Sequence, residues 1–98
     1  MIRDFGNKTA ADLFHKGNCK RLPRVFWKRA IYLLDILEAV STLEDLQVKG
    51  FPPSLRLHKL KGEMKGRFAI DIHKKEGWRI TFVFESSEFV DVKVEDYH

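Results

Sequence analysis

The hydrophobic period of the chain changes once, at Pro52-Pro53, and that change constrains the fold more than any other feature. Upstream, Phe26, Ala30, Leu33, Leu34, Leu37 and Val40 recur at spacings of three and four, the repeat of a helix buried along one stripe. Downstream, Phe68, Ile70 and Ile72 alternate with Ala69, Asp71 and His73. Trp78, Ile80, Phe82 and Phe84 alternate with Arg79, Thr81 and Val83, and Val90, Val92 and Val94 alternate with Asp91, Lys93 and Glu95. Alternation gives a strand one dry face and one wet face. Helices followed by a run of strands predict an α+β fold, with the helices covering one face of a small sheet.

Local signals place the ends. Ile2 to Phe5 reads as a short first strand. Thr9 reads as an N-cap with Asp12 as its capping-box partner, opening a helix over Ala10 to Lys16 that stops at Gly17. Pro23 suits the first turn of a second helix. Ser41 with Glu44 opens a third, short one around Leu43 to Leu46. Another strand is expected to begin between Leu55 and Leu57, and Lys74 to Gly77 and Glu85 to Glu88 fit hairpin loops. The expected architecture is an antiparallel sheet, made of the N-terminal strand and a C-terminal meander, with two to three helices on one face.

At 98 residues, with 44% apolar and 33% charged residues, the chain is expected to be a single globular domain over residues 1–98. The lone Cys19, in a basic loop, can form neither an internal disulfide nor a zinc site by itself and is read as structural or incidental. The longest apolar run, Ala30 to Leu34, is far too short to span a bilayer, and no signal peptide is visible. The expectation is a cytoplasmic protein without membrane contact.

Net charge is +4 and unevenly placed. Residues 56–79 hold eight bases (Arg56, Lys59, Lys61, Lys65, Arg67, Lys74, Lys75 and Arg79) against three acids, whereas from Ile80 onward one base, Lys93, faces five acids. A basic block suits a polyanion such as nucleic acid; it also suits a solvated sheet face. The face opposite the helices is expected to stay open and to carry His73, Arg79 and Lys93.

Three short stretches carry groups able to do chemistry. In Leu57-His58-Lys59-Leu60-Lys61-Gly62, an imidazole that exchanges protons near neutral pH stands three residues from a compact cation. In Gly77-Trp78-Arg79-Ile80-Thr81-Phe82, Arg79 points away from the core and can fork onto a phosphate. In Glu95-Asp96-Tyr97-His98, a carboxylate, a phenol and an imidazole stand together. Each stretch has a plainer reading: polar residues beside a turn, a surface arginine paired with an acid, a frayed tail. Together they are a toolkit for RNA cleavage, which needs a base for the 2′-hydroxyl, cations for the phosphorus and an acid for the leaving oxygen. No HExxH, CxxC pair, P-loop or GxSxG offers a competing chemistry, and neither metal nor cofactor is expected.

These three blocks, in this order and spacing, together with the opening Met1-Ile2-Arg3-Asp4-Phe5, resemble HigB toxins of the RelE superfamily over nearly the whole chain. The resemblance implies a RelE-like fold and ribosome-dependent cleavage of messenger RNA in the decoding site. It also implies a cognate HigA-type helix-turn-helix antitoxin, with operator DNA bound by the toxin–antitoxin pair. By position, His58, Asp96, Tyr97 and His98 match the family's catalytic cluster, and Lys61 and Arg79 its cations near the scissile phosphate. Arg56, Lys59, Lys65, Arg67, His73, Lys74 and Lys75 are then the candidates for holding messenger or ribosomal RNA. Lys59 stands where the family often has proline, and Glu63 where it often has Asp or Asn, which bears on codon preference. Two other functions fit the same fold: a ParE-like gyrase poison, which would not need His58 or the Asp96-Tyr97-His98 set, and an interaction module without catalysis.

Overall fold

The computed structural model describes residues 1–48, 57–59 and 66–96. Helix α1 is Lys8–Lys16, a 3-10 turn at Arg24–Phe26 leads into α2 at Trp27–Ala39, and α3 is Leu43–Val48. The strands are β1 His58–Lys59, β2 Phe68–His73, β3 Trp78–Glu85 and β4 Glu88–Asp96, in the spatial order β1-β2-β3-β4 with every pairing antiparallel. The helices lie on one face of this sheet. Ala10 and Leu13 of α1, Ala30, Leu33, Leu34 and Leu37 of α2, and Leu46 of α3 form one core with Ile70, Ile72, Ile80, Phe82, Phe89, Val92 and Val94. Burying each large aliphatic or aromatic side chain there stabilises the fold by roughly 1.5–3 kcal/mol before entropy is counted.

The N-terminal segment extends the sheet beyond β4, running parallel to it. Ile2 bridges to Phe89 and Phe5 to Val92. Arg3 N donates to Phe89 O at 2.8 Å and Gly6 N to Val92 O at 2.7 Å. Arg3 ties this edge to the β3–β4 hairpin through Glu88 at 3.0 Å and Glu85 at 2.9 Å, and these bonds raise the guanidinium's pKa further.

Several boundaries differ from the sequence expectation. Helix α1 starts two residues early because Asn7, not Thr9, is the N-cap: its Oδ1 accepts from Ala10 N at 3.1 Å. Thr9 is instead buried inside the first turn. Asp12, expected as the capping-box partner, bonds Lys8 at 2.8 Å, and that hydrogen bond holds its carboxyl below the usual range. Helix α3 is opened by Thr42 rather than Ser41, with Asp45 N donating to Thr42 Oγ1 at 3.1 Å. Gly17 ends α1 in the left-handed region as its position predicts. The turn Ser86-Ser87 joins β3 to β4 with both residues at positive φ, the twist that a two-residue hairpin requires.

The strand phases hold two surprises. Between Asp71 and His73 the β2–β3 register shifts, so His73 comes opposite Trp78 on the core side. Between Thr81 and Val83 the β3–β4 register shifts too, with Asp91 at φ +54° as the extra residue. The Val90-Val92-Val94 alternation is therefore broken. Phe89, Val92 and Val94 are buried, while Val90 lies across from Val83 on the other face.

Candidate active site

Directly opposed residues of a sheet share a face. One row on the face away from the helices runs His58, Ala69, Thr81, Lys93, and the next runs Asp71, Arg79, Glu95. His58 and Arg79 are thus on one face, two strands and one row apart. Standard strand spacing and rise put their backbones about 12 Å from each other. Both residues are half-buried. Arg79 has an acid on either side in register, Asp71 and Glu95.

The other expected catalytic residues divide. Asp96 is exposed and closes β4 opposite Trp78, in the end row of the sheet. Lys61, Tyr97 and His98 lie outside the described residues, as do Arg56 and Lys65.

Two residues expected to contact RNA, Arg67 and His73, have partners within the protein. Arg67 is only 11% exposed. Its Nη1 donates to Asp91 Oδ2 at 2.7 Å, and its Nη2 donates to Asp91 O at 2.7 Å and Thr81 Oγ1 at 3.0 Å. The arm crosses from the root of β2 over β3 to β4, and Ala69 and Thr81 in that region are fully buried. This face is therefore partly roofed rather than open, with Arg67 held against the Asp91 carboxylate, which is itself 44% exposed. His73 is not on this face at all. The shift in β2 turns it toward Phe26, with ring centroids 4.7 Å apart, and its Nδ1 accepts from Glu76 N at 3.2 Å.

Lys59, Lys74 and Lys75 are exposed. Lys59 Nζ stands 5.8 Å above the Phe68 ring. Lys74 and Lys75, with Asp71, Ile72 and His73, line an open hollow of about 220 Å3 that Arg29 of α2 completes. Arg29 was not among the expected contacts; it is far from the basic block in sequence and only the packing of α2 brings it there. Asp91, Thr81 and Glu95, which organise the middle of the face, also carry no local signature. Cys19 is half-buried, its Sγ 4.0 Å from Leu22 O, consistent with a structural residue.

With this geometry in view, two comparisons decide the family. The family model described as the RelE-like toxin of the type II toxin–antitoxin system HigB matches residues 3–98. The chain belongs to the HigB-like toxins. It is similar over the full length of both chains, at 30% identity, to the endoribonuclease HigB of Proteus vulgaris. A four-stranded antiparallel sheet with helices on one face agrees with the RelE-like architecture that membership implies. As a type II toxin, the protein has an antitoxin partner by definition of the system. Among the described residues no helix is long and apolar enough to cross a membrane.

Proposed function

We propose that this HigB-like toxin is an endoribonuclease that cuts messenger RNA in the ribosomal A site, and that it does so through the 2′-hydroxyl of the substrate itself. The observation that carries the reading is the coincidence of His58 and Arg79 on one polar face of the sheet, in a chain related end to end to an endoribonuclease.

In this mechanism one imidazole takes the 2′-hydroxyl proton, the oxygen attacks the adjacent phosphorus, and the P–O5′ bond breaks. The departing 5′-oxygen receives a proton from an acid, leaving a 2′,3′-cyclic phosphate and a 5′-hydroxyl. His58 and His98 are the base and the acid. Arg79 and Lys61 neutralise the extra charge on the phosphoryl oxygens, Tyr97 stacks on a base or relays a proton, and Asp96 orients a neighbouring group. Neither metal nor cofactor takes part. The groups are individually weak, which is why the ribosome has a role: holding the messenger in a reactive bend supplies part of the barrier. Lys59, Lys74, Lys75 and the Arg29 hollow contact ribosomal RNA, so docking weakens as salt rises. The partner antitoxin is of the HigA helix-turn-helix type, the pair binds its operator DNA, and the toxin acts in the cytoplasm.

The test is primer extension on a reporter messenger in a purified translation system, with and without ribosomes. The native protein is expected to cut inside codons only when ribosomes are present. Arg79→Ala and His98→Ala are each expected to lower the rate about 10²–10⁴-fold without unfolding the protein. Cutting without ribosomes would remove the A-site mechanism. Absence of cutting by folded native protein would overturn the nuclease reading and favour a gyrase poison.

A further inference from the structure

We propose that Arg67, acting through Asp91, Thr81 and Glu95, is a positioning residue for Arg79; the proposal rests on the role given to Arg79 above. Phe89 is buried on the helix side, and strict alternation from it would turn residues 91, 93 and 95 inward. The extra residue at Asp91 transposes the strand, so Val92 and Val94 enter the core while Glu95 comes opposite Arg79. That transposition requires Asp91 to sit at φ +54°, a conformation an L-residue adopts at a cost.

Arg67 is the closer of the two cations that hold it; Lys93 Nζ stands further off, 3.8 Å from Asp91 Oδ2 and 4.0 Å from Glu95 Oε1. The Arg67 fork takes the Asp91 carboxylate and the Asp91 carbonyl together, both at 2.7 Å. From the other side Asp91 N donates to Asp4 Oδ1 at 2.6 Å. Gly6 belongs to the same arrangement: a Cβ there would overlap the Asp91 carboxylate and stand 2.8 Å from Lys93 Cε. The clamp then reaches Arg79 by a second route. Thr81 Oγ1 accepts from Arg67 and donates to Glu95 Oε2 at 3.2 Å, fixing the carboxylate in register with Arg79. Arg67, Thr81 and Glu95 thereby set how Arg79 faces a phosphate, although Arg67 itself is nearly sealed from solvent.

The test compares Arg67→Ala, Arg67→Lys, Thr81→Val and Gly6→Ala with the native toxin, using purified ribosomes programmed with a defined messenger, well below each variant's unfolding midpoint. Arg67→Ala is expected to lower kcat about ten- to a hundredfold with KM unchanged, the scale of a small misplacement at a reacting centre. Arg67→Lys keeps the charge but loses the fork and recovers only part of the rate. Thr81→Val, which leaves the Arg67–Asp91 pair in place, lowers kcat less and in the same sense. A raised KM with native kcat would make Arg67 an RNA contact and overturn the proposal, as would native kcat in both Arg67→Ala and Thr81→Val. If Arg67→Ala does not fold, Thr81→Val and Gly6→Ala decide. A readout independent of cleavage separates this idea from the parent one: the NMR signal of the Arg79 Nε–H is expected to shift or broaden in Thr81→Val. An unchanged signal overturns the positioning role even if the native toxin cuts; a changed signal in a protein that never cuts condemns the nuclease reading instead.

Discussion

The two faces of the sheet are held by different kinds of interaction. On the helix side, Ile70, Ile80, Phe82, Val92 and Val94 are fastened by transfer from water and close packing, which have no strict direction. On the other side, Arg67, Thr81, Asp91 and Glu95 are fastened by bonds of 2.7–3.2 Å that tolerate little displacement. Thr81 and Phe82 are adjacent and both fully buried, yet they belong to opposite regimes. The first face gives the protein its stability; the second fixes where charged groups point.

Substitutions on the two faces test this contrast. Phe82→Ala should have the largest effect, about 3–5 kcal/mol in urea unfolding, while Phe82→Leu should cost less than half of that because the packed side tolerates reshaping. Equal losses would mean that the core, too, depends on shape alone. Thr81→Val nearly preserves volume and would be almost silent if that face were merely packed. Removing the hydroxyl takes an acceptor from Arg67 and a donor from Glu95, so a loss of about 2 kcal/mol is expected by the same measurement. Asn7→Ala should cost about 1–2 kcal/mol, because the side chain both caps α1 and bonds Val94 N and O of β4. The smallest effect runs the other way. Replacing Ser86-Ser87 by Asn-Gly, which accept positive φ readily, should raise the thermal midpoint by the equivalent of about 0.5–1 kcal/mol, since this turn stands apart from both regimes.

The same contrast explains what could be read from the sequence. Periodicity reports the packed face, so the Ala30–Leu33–Leu34–Leu37 stripe, the Phe68–Ile70–Ile72 alternation and the stop at Gly17 were all legible. Periodicity is blind to a single extra residue. The shift at Asp91 depends on an arginine 24 positions earlier, and the shift after Asp71 moved His73 to the wrong side of the expected sheet. The cap at Asn7 was missed because Thr9 satisfies the same short-range rule; contact with Val94 decides between them. At the site, the residue types of His58 and Arg79 and the outward side of Arg79 were foreseeable, but the sharing of one face with His58 was not, because β1 has no alternation of its own to read. Nor was the enclosure of Arg67, because nothing local distinguishes a cation that finds an internal partner from one left in water.

The parallel pairing of residues 2–5 with β4 carries a consequence for how the molecule is made. Asp4 meets Asp91 across 87 positions of sequence, so residues 2–5 wait for β4 before their edge of the sheet can close. Contacts of such separation form late and slowly. The phase of β4, and with it the setting of Arg79, is completed only after β4 has emerged and met residues 2–5. Nascent toxin would stay without a finished site until β4 is made, leaving an interval in which a partner already present can meet the chain before the chain can do harm.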